Sequence, residues 1–430
     1  MFRFSKHLTQ NKHSHTYSVI DNHYLISHHF PFRTRKISRT SPTIVGLFCG
    51  CGGLDLGFQQ AGFRTLSAFD HDENAVSVYN QNLKEKASLC DLSTSNIYIG
   101  KRPDVVVAGP PCQGFSSLGK RKHNDPRNHL LTRATFLAQG LNPEVILLEN
   151  VSGSISGKMK EYWDQAIDIL RKNKYHVRFI KVQTTEFGLP QIRKRIILLA
   201  SKKDLLNEVS LPSSTFPQTL QYTLRSLPDV NHSPILIDEH SNEFKIAKRI
   251  LPYQKLCNVR GGDRSVPTWD IPEVFGTVSK REITILELIR KLRREIRLRN
   301  HGDADPVSPE DLNKRLSWSP YAAIEKLLSK KYLKSIGSRV DFTHSFNGKF
   351  RRLSFDHPTP AVDTRFGQPR YFIHPSEPRG LSVREAARIQ GFPDEFIFAG
   401  NRTVQHKLVG NAVPPPLAKW IATEIREKLL

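Results

Sequence analysis

The stretch from Thr43 to Gly62, "TIVGLFCGCGGLDLGFQQAG", runs from a short apolar segment through a glycine-rich turn into a helical pattern. Residues 43–48 have the length and composition of a buried strand. Leu54, Phe58 and Ala61 follow at the spacing of one helix face. A strand, a glycine turn and a helix in this order predict the first unit of a layered α/β domain.

Four more apolar segments of strand length follow this unit, and helical patterns separate most of them. They are residues 63–70 ("FRTLSAFD"), 104–109 ("DVVVAG"), 144–151 ("EVILLENV") and 194–200 ("KRIILLA"). Strands that are apolar throughout and alternate with helices favour a mostly parallel sheet with helices on both faces. The fold class that we predict is therefore α/β, with a Rossmann-like sheet.

The pattern changes after about residue 205, where prolines become frequent and the regular periodicities break. One segment in this part, residues 281–300, has apolar residues at helical spacing and a dense Arg/Lys face opposite them. That face is either a solvated surface or a surface that contacts phosphates. Regular patterns return after residue 377. We predict a basic tail (1–40), a sheet domain (41–205), a smaller second domain (206–377) and a C-terminal segment that completes the sheet domain (378–430).

The charge of the chain is strongly positive, with 64 Lys and Arg residues against 41 Asp and Glu residues and a formal net charge of +23. A field of this sign favours polyanions, with nucleic acid ahead of an anionic membrane surface. No apolar run approaches the roughly 18–20 residues that span a bilayer. We therefore expect a nucleic-acid partner and no membrane partner.

The cysteine content indicates a reducing, cytoplasmic setting, because five cysteines in 430 residues do not make a disulfide framework. Cys49 and Cys51 lack the C-x-x-C spacing of a zinc site or a redox pair. Residues 1–20 are basic and rich in histidine but lack the apolar middle of a secretion signal. We therefore predict a cytoplasmic protein without a metal site.

Glycines after the first strand and an acid after the second form the plan of a nucleoside-binding half-sheet. Gly50 and Gly52 let the backbone approach a ligand, and Asp70 can hold ribose hydroxyls. Asp55 stands where a dinucleotide site has its third glycine, so a pyrophosphate is a poor fit. A ligand with ribose and adenine but no phosphate, such as S-adenosylmethionine, fits better. A tight structural turn is the alternative.

The stretch Val105–Asn128, "VVVAGPPCQGFSSLGKRKHNDPRN", places Cys112 at the tip of a strand, beside two prolines. This cysteine is either a buried structural residue, an acyl-transfer nucleophile or a nucleophile toward an electron-poor ring. The second role needs a partner histidine and an oxyanion hole, and the sequence marks neither near by. Attack at C6 of a cytosine would activate C5 for methylation and needs an acid near ring N3. Glu149, at the end of the next apolar segment, is placed to be that acid.

The loop after Cys112 is suited to nucleic acid. A cytosine inside a duplex must be rotated out before a thiol on a strand tip can reach it. The glycines and serines of this loop allow movement, and Lys120, Arg121 and Lys122 can contact phosphates. We therefore expect the loop to close over the nucleic acid.

With these segments in this order, the chain resembles the DNA (cytosine-5) methyltransferases. The resemblance rests on "GLFCGCGGLDLGF", "AGPPCQGFSS", "LLENV", "GLPQIRKRIIL", "REAARIQGFPDEF" and "VGNAVPPPLA". It implies the S-adenosylmethionine-dependent methyltransferase fold and double-stranded DNA as the partner, with residues 206–377 reading a specific sequence. It also implies a monomer in a restriction-modification system, with a cognate restriction endonuclease acting separately.

The same resemblance implies roles for individual residues. The catalytic residues would be Cys112 as nucleophile, Glu149 as acid at ring N3, and Arg195 as a contact to the base and to Glu149. S-adenosylmethionine would be bound by Phe48, Gly50, Gly52, Asp70, His71, Asp91, Pro110, Leu130, Asn411 and Val413. DNA would be contacted by Gln113, Ser116, Lys120, Arg121 and Arg193, with a structural role as the alternative for the last of these.

Two other functions stay open at this point: methylation of RNA, and nucleic-acid binding without catalysis. The long region between "QIRKR" and "REAARIQGFPDEF" argues against RNA, because recognition by shape would not need a base-reading domain of that size. Cys112 and Glu149 are both intact, which argues against a catalytically silent relative.

Overall fold

A central sheet runs through residues 43–201 of the computed structural model, which describes residues 35–111, 129–157, 160–210, 217–297 and 305–430. The strands are β1 (Thr43–Leu47), β2 (Arg64–Asp70), β3 (Ala87–Leu89), β4 (Val105–Ala108), β5 (Val145–Val151), β6 (His176–Gln183), β7 (Gln191–Ile192), β8 (Lys194–Ser201), β9 (Lys255–Cys257), β10 (Ser265–Val266), β11 (Leu333–Ile336), β12 (Arg339–Phe342), β13 (Asn347–Lys349), β14 (Arg351–Arg352), β15 (Thr359–Pro360) and β16 (Phe372–Ile373). The helices are α1 (Gly53–Gln60), α2 (Glu73–Asn82), α3 (His129–Gly140), α4 (Lys160–Lys172), α5 (Leu220–Thr223), α6 (Asn242–Arg249), α7 (Pro272–Phe275), α8 (Lys280–Glu295), α9 (Pro309–Asn313), α10 (Tyr321–Ser329), α11 (Val383–Ile389), α12 (Arg402–Asn411) and α13 (Pro415–Lys428).

The sheet has seven strands within the described ranges, in the order β3-β2-β1-β4-β5-β8-β6. Neighbouring strands are parallel from β3 to β5, and β8 runs antiparallel to both β5 and β6. This arrangement confirms the predicted mostly parallel α/β sheet, and each predicted strand agrees to within one residue at either end. Strand β6 was not predicted, because its sequence "HVRFIKVQ" mixes charged and apolar residues.

The reversed direction of β8 decides which residues reach the ligand-binding edge of the sheet. In an open α/β sheet, ligands bind beyond the carboxyl ends of the parallel strands. Because β8 is antiparallel to β5, its first residues lie at that edge, and Arg195 pairs with Val151 at the end of β5. Residues of "QIRKR" therefore lie beside the site although they precede or begin a strand.

Helices cover both faces of the sheet, as predicted. Apolar residues of α1 and α13 pack on one face, and those of α3 and α4 pack on the other. Helices α1 and α13 approach closely at Gly57, where a Cβ atom would lie 2.3 Å from the Cβ of Ala418. A larger side chain at position 57 would push the two helices apart. Glycine at this position therefore allows α13 to pack closely against α1.

Two further hydrophobic clusters lie within residues 246–373, and α8 belongs to one of them. Its buried apolar residues are Ile285, Leu286, Ile289 and Leu292. Part of its basic face is used inside the protein, since Arg293 forms an ion pair with Asp341 (Nε–Oδ1 2.7 Å), whereas Arg294 is exposed. Leu353 and Leu381 share one cluster, so packing crosses the predicted boundary at residue 377, and the domain limits stay a prediction. None of the described helices is long and apolar enough to cross a membrane.

Asp55 on α1 is a fully buried carboxyl group. The Tyr79 hydroxyl donates a hydrogen bond to Asp55 Oδ1 at 3.1 Å, and Oδ2 has no hydrogen-bond partner among the described residues. Oδ1 also lies 2.4 Å from the position of a Cβ atom on Gly46, so β1 needs a glycine at this point. Burial raises the pKa of Asp55 from 3.8 to about 7, and the Tyr79 hydrogen bond offsets part of this effect.

We expect the substitution Asp55→Asn to become progressively more favourable to stability as the pH rises from about 4 to above 7. The folded chain binds the Asp55 proton more tightly than the unfolded chain, so the free energy of unfolding of the unmodified protein falls across this window. The free energy of unfolding of the asparagine variant does not show this fall, because an amide does not titrate in this range. The change in the stability difference between the two chains is up to about 4 kcal/mol.

Unfolding curves of both chains at a series of pH values measure this difference. Asp164→Asn is the control, because that carboxyl group is 51% exposed. A stability difference that stays constant between pH values near 4 and near 8 would contradict the raised pKa of the buried Asp55 carboxyl group.

Candidate active site

The carboxyl edge of the sheet opens into a cavity of about 1120 Å³, part of which is open to solvent. Its walls come from the ends of β1, β2, β4 and β5, the start of β8, and the segment that joins α12 to α13. The cavity lies at the edge where open α/β sheets bind their ligands. The predicted residues that line it are Phe48, Gly50, Asp70, His71, Pro110, Glu149, Arg195, Asn411 and Val413.

The Asp70 carboxylate at the end of β2 holds the turn after β1 in shape. Phe48 and Gly50 both have positive φ angles, 52° and 55°. The Gly50 backbone N–H donates to Asp70 Oδ2 at 2.8 Å, and the Asp72 backbone N–H donates to Asp70 Oδ1 at 2.9 Å. A carboxylate has further lone pairs after two such bonds, so Asp70 can still accept from a ligand hydroxyl. The side chain predicted to bind ribose therefore also builds the turn.

Glu149 and Arg195 form an ion pair that lines the cavity. Arg195 Nε lies 2.7 Å from Glu149 Oε1, and the two side chains are only 13% and 10% exposed. The contact is an ion pair without hydrogen-bond alignment, and within the described part of the chain Glu149 Oε1 has no hydrogen-bond partner. The guanidinium group therefore orients the carboxyl group, which keeps capacity for a substrate.

Asn150 links the tips of β4 and β5. It is buried, and its side-chain Nδ2 donates to the carbonyl oxygen of Pro110 at 3.3 Å. Pro110 and Pro111 both line the cavity, and Cys112 follows them directly in the sequence. The chain that leads to Cys112 is therefore tied to the strand that carries Glu149. Sequence reasoning did not assign this role to Asn150, although its place next to Glu149 in "LLENV" was a signal.

Arg193 is buried and supports the C-terminal wall of the cavity. It is 3% exposed, and its guanidinium group donates to the backbone carbonyls of Val362 (2.7 Å), Gly410 (3.1 Å) and Ala412 (3.0 Å). A DNA phosphate cannot reach a guanidinium group in this position. The structure thus contradicts the predicted DNA contact by Arg193 and gives it the alternative, structural role of holding the segment between α12 and α13.

Three predicted cofactor residues do not line the cavity. Gly52 has a φ of 95° and lies against α2, where a Cβ atom would be 2.9 Å from the Tyr79 ring. Asp91 is exposed, and its carboxylate accepts from the Ser93 backbone N–H at 2.9 Å. Leu130 lies in the first turn of α3. The ligand contacts of these three residues stay predictions.

Five predicted residues lie outside the described part of the chain, and their roles stay predictions: Cys112, Gln113, Ser116, Lys120 and Arg121. Among the described residues, two thiols line the cavity, those of Cys49 and Cys51. Burial raises the pKa of Cys49 well above its usual value and raises the pKa of Cys51 to about 12. A thiol nucleophile must be a thiolate, so neither of these cysteines is a candidate nucleophile near neutral pH.

Lys407 and Asp72 line the cavity without having been predicted. Lys407 Nζ lies 2.7 Å from Asp72 Oδ2, which joins α12 to the start of α2. Partial burial alone would raise the pKa of Asp72. The hydrogen bond and the charge of Lys407 outweigh this effect, so the pKa lies below its usual value. Asp72 also caps α2 by accepting from the Asn74 backbone N–H at 3.0 Å. A helix cap is what the sequence signals here, and nothing in it marks the distant lysine.

One family of known proteins matches most of the chain. The sequence profile described as "C-5 cytosine-specific DNA methylase" matches residues 43–427. The chain belongs to this family. It is therefore a DNA (cytosine-5)-methyltransferase, as the sequence motifs predicted.

The methyltransferase is similar to relatives along nearly its whole length. The type II methyltransferase M.XorII of Xanthomonas oryzae pv. oryzae is 29% identical and covers 91% of this chain and 86% of its own. The type II methyltransferase M.AgeI of Thalassovita gelatinovora is 28% identical and covers 89% of this chain and 98% of its own. A solved E. coli structure, described as a prophage-encoded DNA modification methyltransferase, has 25% identity and a TM-score of 0.57, over 90% of this chain and 99% of its own. The fold is therefore that of known methyltransferases.

Proposed function

We propose that this methyltransferase modifies carbon 5 of a cytosine that is rotated out of a specific sequence in double-stranded DNA. The observation that carries the proposal is the meeting of two sites in one cavity. A turn suited to a nucleoside lies beside the Glu149–Arg195 pair and the prolines that precede Cys112. The names of the type II relatives support a place in a restriction-modification system, with a separate endonuclease that cuts the unmodified sequence.

The part of the cavity formed by β1 and β2 fits S-adenosylmethionine. A Cβ atom on Gly50 would meet nothing within 4 Å, so the turn leaves open space for a ligand. Phe48 would pack on the adenine, Asp70 would hold the ribose hydroxyls, and Asn411 would brace the opposite wall. When bound, this cofactor supplies the methyl group that the activated carbon 5 accepts.

Cys112 would begin the reaction as a thiolate that forms a bond to C6 of the cytosine. The displaced electron pair moves into the ring, and Glu149, which would have to be protonated when the cytosine is bound, donates its proton toward ring N3 to stabilise the charge. After methylation of carbon 5, water or hydroxide removes the C5 proton. The electron pair then restores the C5–C6 double bond and expels the Cys112 sulfur, while the N3 proton returns to Glu149. Arg195 keeps the Glu149 carboxyl group in place throughout.

The remaining parts of the chain would hold the DNA. Residues 206–377 would read the target sequence across the major groove. Lys120 and Arg121 would contact phosphates, and Gln113 and Ser116 would lie close to the rotated base. We place the enzyme in the cytoplasm, as a monomer acting on DNA of the nucleoid.

A filter assay that compares methyl transfer to duplex DNA and to tRNA tests this proposal. We expect methyl transfer to the duplex. Bisulfite sequencing of DNA from cells that express the protein should then find each modified cytosine in one recurring sequence. Transfer to tRNA without transfer to DNA would support the RNA methyltransferase alternative. Binding of both nucleic acids with no transfer to either would support the silent relative.

A further inference from the structure

A second cavity of about 860 Å³, part of which is open to solvent, shares no lining residue with the active site. Ile192 of β7 and Pro360 of β15, which pair with each other, contribute to its lining. Lys255 of β9 and Arg351 of β14 contribute as well. The cavity is therefore lined both by β7, which ends three residues before Arg195, and by β9 and β14 of the region predicted to read DNA.

We call this cavity the basic pocket, after the lining residues Lys255, Arg264, Arg351 and Arg352. No aspartate or glutamate is among the described residues that line it. Arg352 is committed to the structure, since its guanidinium group donates to four backbone carbonyls. Within the described ranges, the other three side chains make no hydrogen bond or ion pair. Burial and the neighbouring Arg264 hold the pKa of Arg351 below its usual value, as expected where positive charge is not compensated.

An aromatic stack orients one of these cations. The Tyr253 and His357 rings are stacked, with centroids 4.0 Å apart and planes at 20°. The guanidinium carbon of Arg264 lies 3.5 Å from the Tyr253 ring centroid. Tyr253 has a φ of 70°, a conformation that is strained for a bulky residue and that clusters at functional sites. The stack therefore keeps an otherwise exposed arginine over the pocket.

We infer that the basic pocket binds a phosphodiester group of the DNA strand next to the target cytosine. This inference rests on the proposed function and adds a site to it. Ile192 precedes Arg195 by three residues, so the Cα atoms of these two residues lie no more than roughly 11 Å apart. Cations without carboxylate partners make strong, charge-assisted hydrogen bonds to phosphate oxygens. Such a contact fixes the position of the strand and carries no sequence information.

The double variant Lys255→Gln/Arg264→Gln tests this site, and Arg171→Gln/Lys172→Gln is the matched control. The control removes the same charge from two exposed residues at the end of α4. We measure the affinity for duplex DNA over a range of salt concentrations. Relative to the control, the plot of log affinity against log salt should become shallower by about 0.9, because one phosphate contact is lost. At about 0.1 M salt this corresponds to roughly eightfold weaker binding. Cofactor affinity and the melting temperature should match those of the control.

A salt slope equal to that of the control would overturn the inference. A second result would also overturn it: inorganic phosphate binds to the unmodified protein and not to the double variant, while the salt slope of DNA binding is the same as in the control. The pocket would then bind a free anion and not the DNA. Methyl-transfer assays keep this result separate from the proposed function. If the unmodified enzyme methylates duplex DNA and the double variant has an unchanged salt slope, only the inference about the basic pocket is refuted.

Discussion

Replacing Cys112 with alanine is expected to lower the rate of methyl transfer by about 10⁴-fold or more, because the proposed reaction runs through a bond from this sulfur to C6. Alanine has no electron pair to donate, and neither of the two described thiols that line the cavity substitutes, since burial raises the pKa of Cys49 and of Cys51 and disfavours their thiolates. Affinities for cofactor and for DNA should stay near those of the unmodified enzyme. Single-turnover transfer of a labelled methyl group to duplex DNA measures the rate.

Cys90→Ala is the control for this prediction, because Cys90 is a free, half-buried thiol that does not line the cavity. A duplex with 5-fluorocytosine at the target position gives an independent test, since fluorine cannot leave as a proton does. We expect a covalent protein–DNA adduct with the unmodified enzyme and with Cys90→Ala, and none with Cys112→Ala. Normal transfer by Cys112→Ala would rule out the covalent mechanism.

The sheet could be predicted from the sequence because its strands are buried on both faces. Val105–Ala108 is apolar throughout and Val145–Val151 is apolar over its first four residues, as is typical of strands in the centre of a covered parallel sheet. The rule that ligands bind at the carboxyl ends then brought Asp70, Pro110 and Glu149 together. These residues line one cavity in the structure.

Strand direction and long-range partners could not be predicted in the same way. Nothing in "KRIILLA" says that β8 runs antiparallel, yet this direction brings Arg195 to Glu149. A basic residue in a basic motif also looks like a phosphate contact. Only the structure shows that three carbonyls more than 160 residues away along the chain surround the Arg193 guanidinium group.

The basic pocket illustrates the same limit for charge. The sequence gives a net charge of +23 but not where that charge lacks partners. On α8, Arg293 is neutralised by Asp341, whereas Arg264 and Arg351 lie in a pocket lined by no described acid. The basic face of residues 281–300 can be recognised in the sequence because its residues recur at helical spacing. The basic residues of the pocket are scattered along the chain and form no such pattern.

The substitution Glu149→Gln is expected to lower the rate of methyl transfer by about 10²–10⁴-fold. Glutamine keeps the size and the hydrogen-bonding oxygen of the side chain, but it cannot donate the proton that the ring nitrogen needs. Its amide also loses the charge of the ion pair with Arg195, whose Nε lies 2.7 Å from the carboxylate. Single-turnover transfer rates measure the effect, with DNA and cofactor affinities determined in parallel.

Glu144→Gln is the matched control, because this residue precedes β5 at the opposite end of the strand and does not line the cavity. It should transfer methyl groups at the rate of the unmodified enzyme. If proton donation is the role of Glu149, Glu149→Gln should keep near-normal binding of the cofactor and lose the chemical step. A variant that lost only cofactor affinity would show instead that the carboxylate shapes the cavity, and a variant with an unchanged single-turnover rate would remove Glu149 from the mechanism.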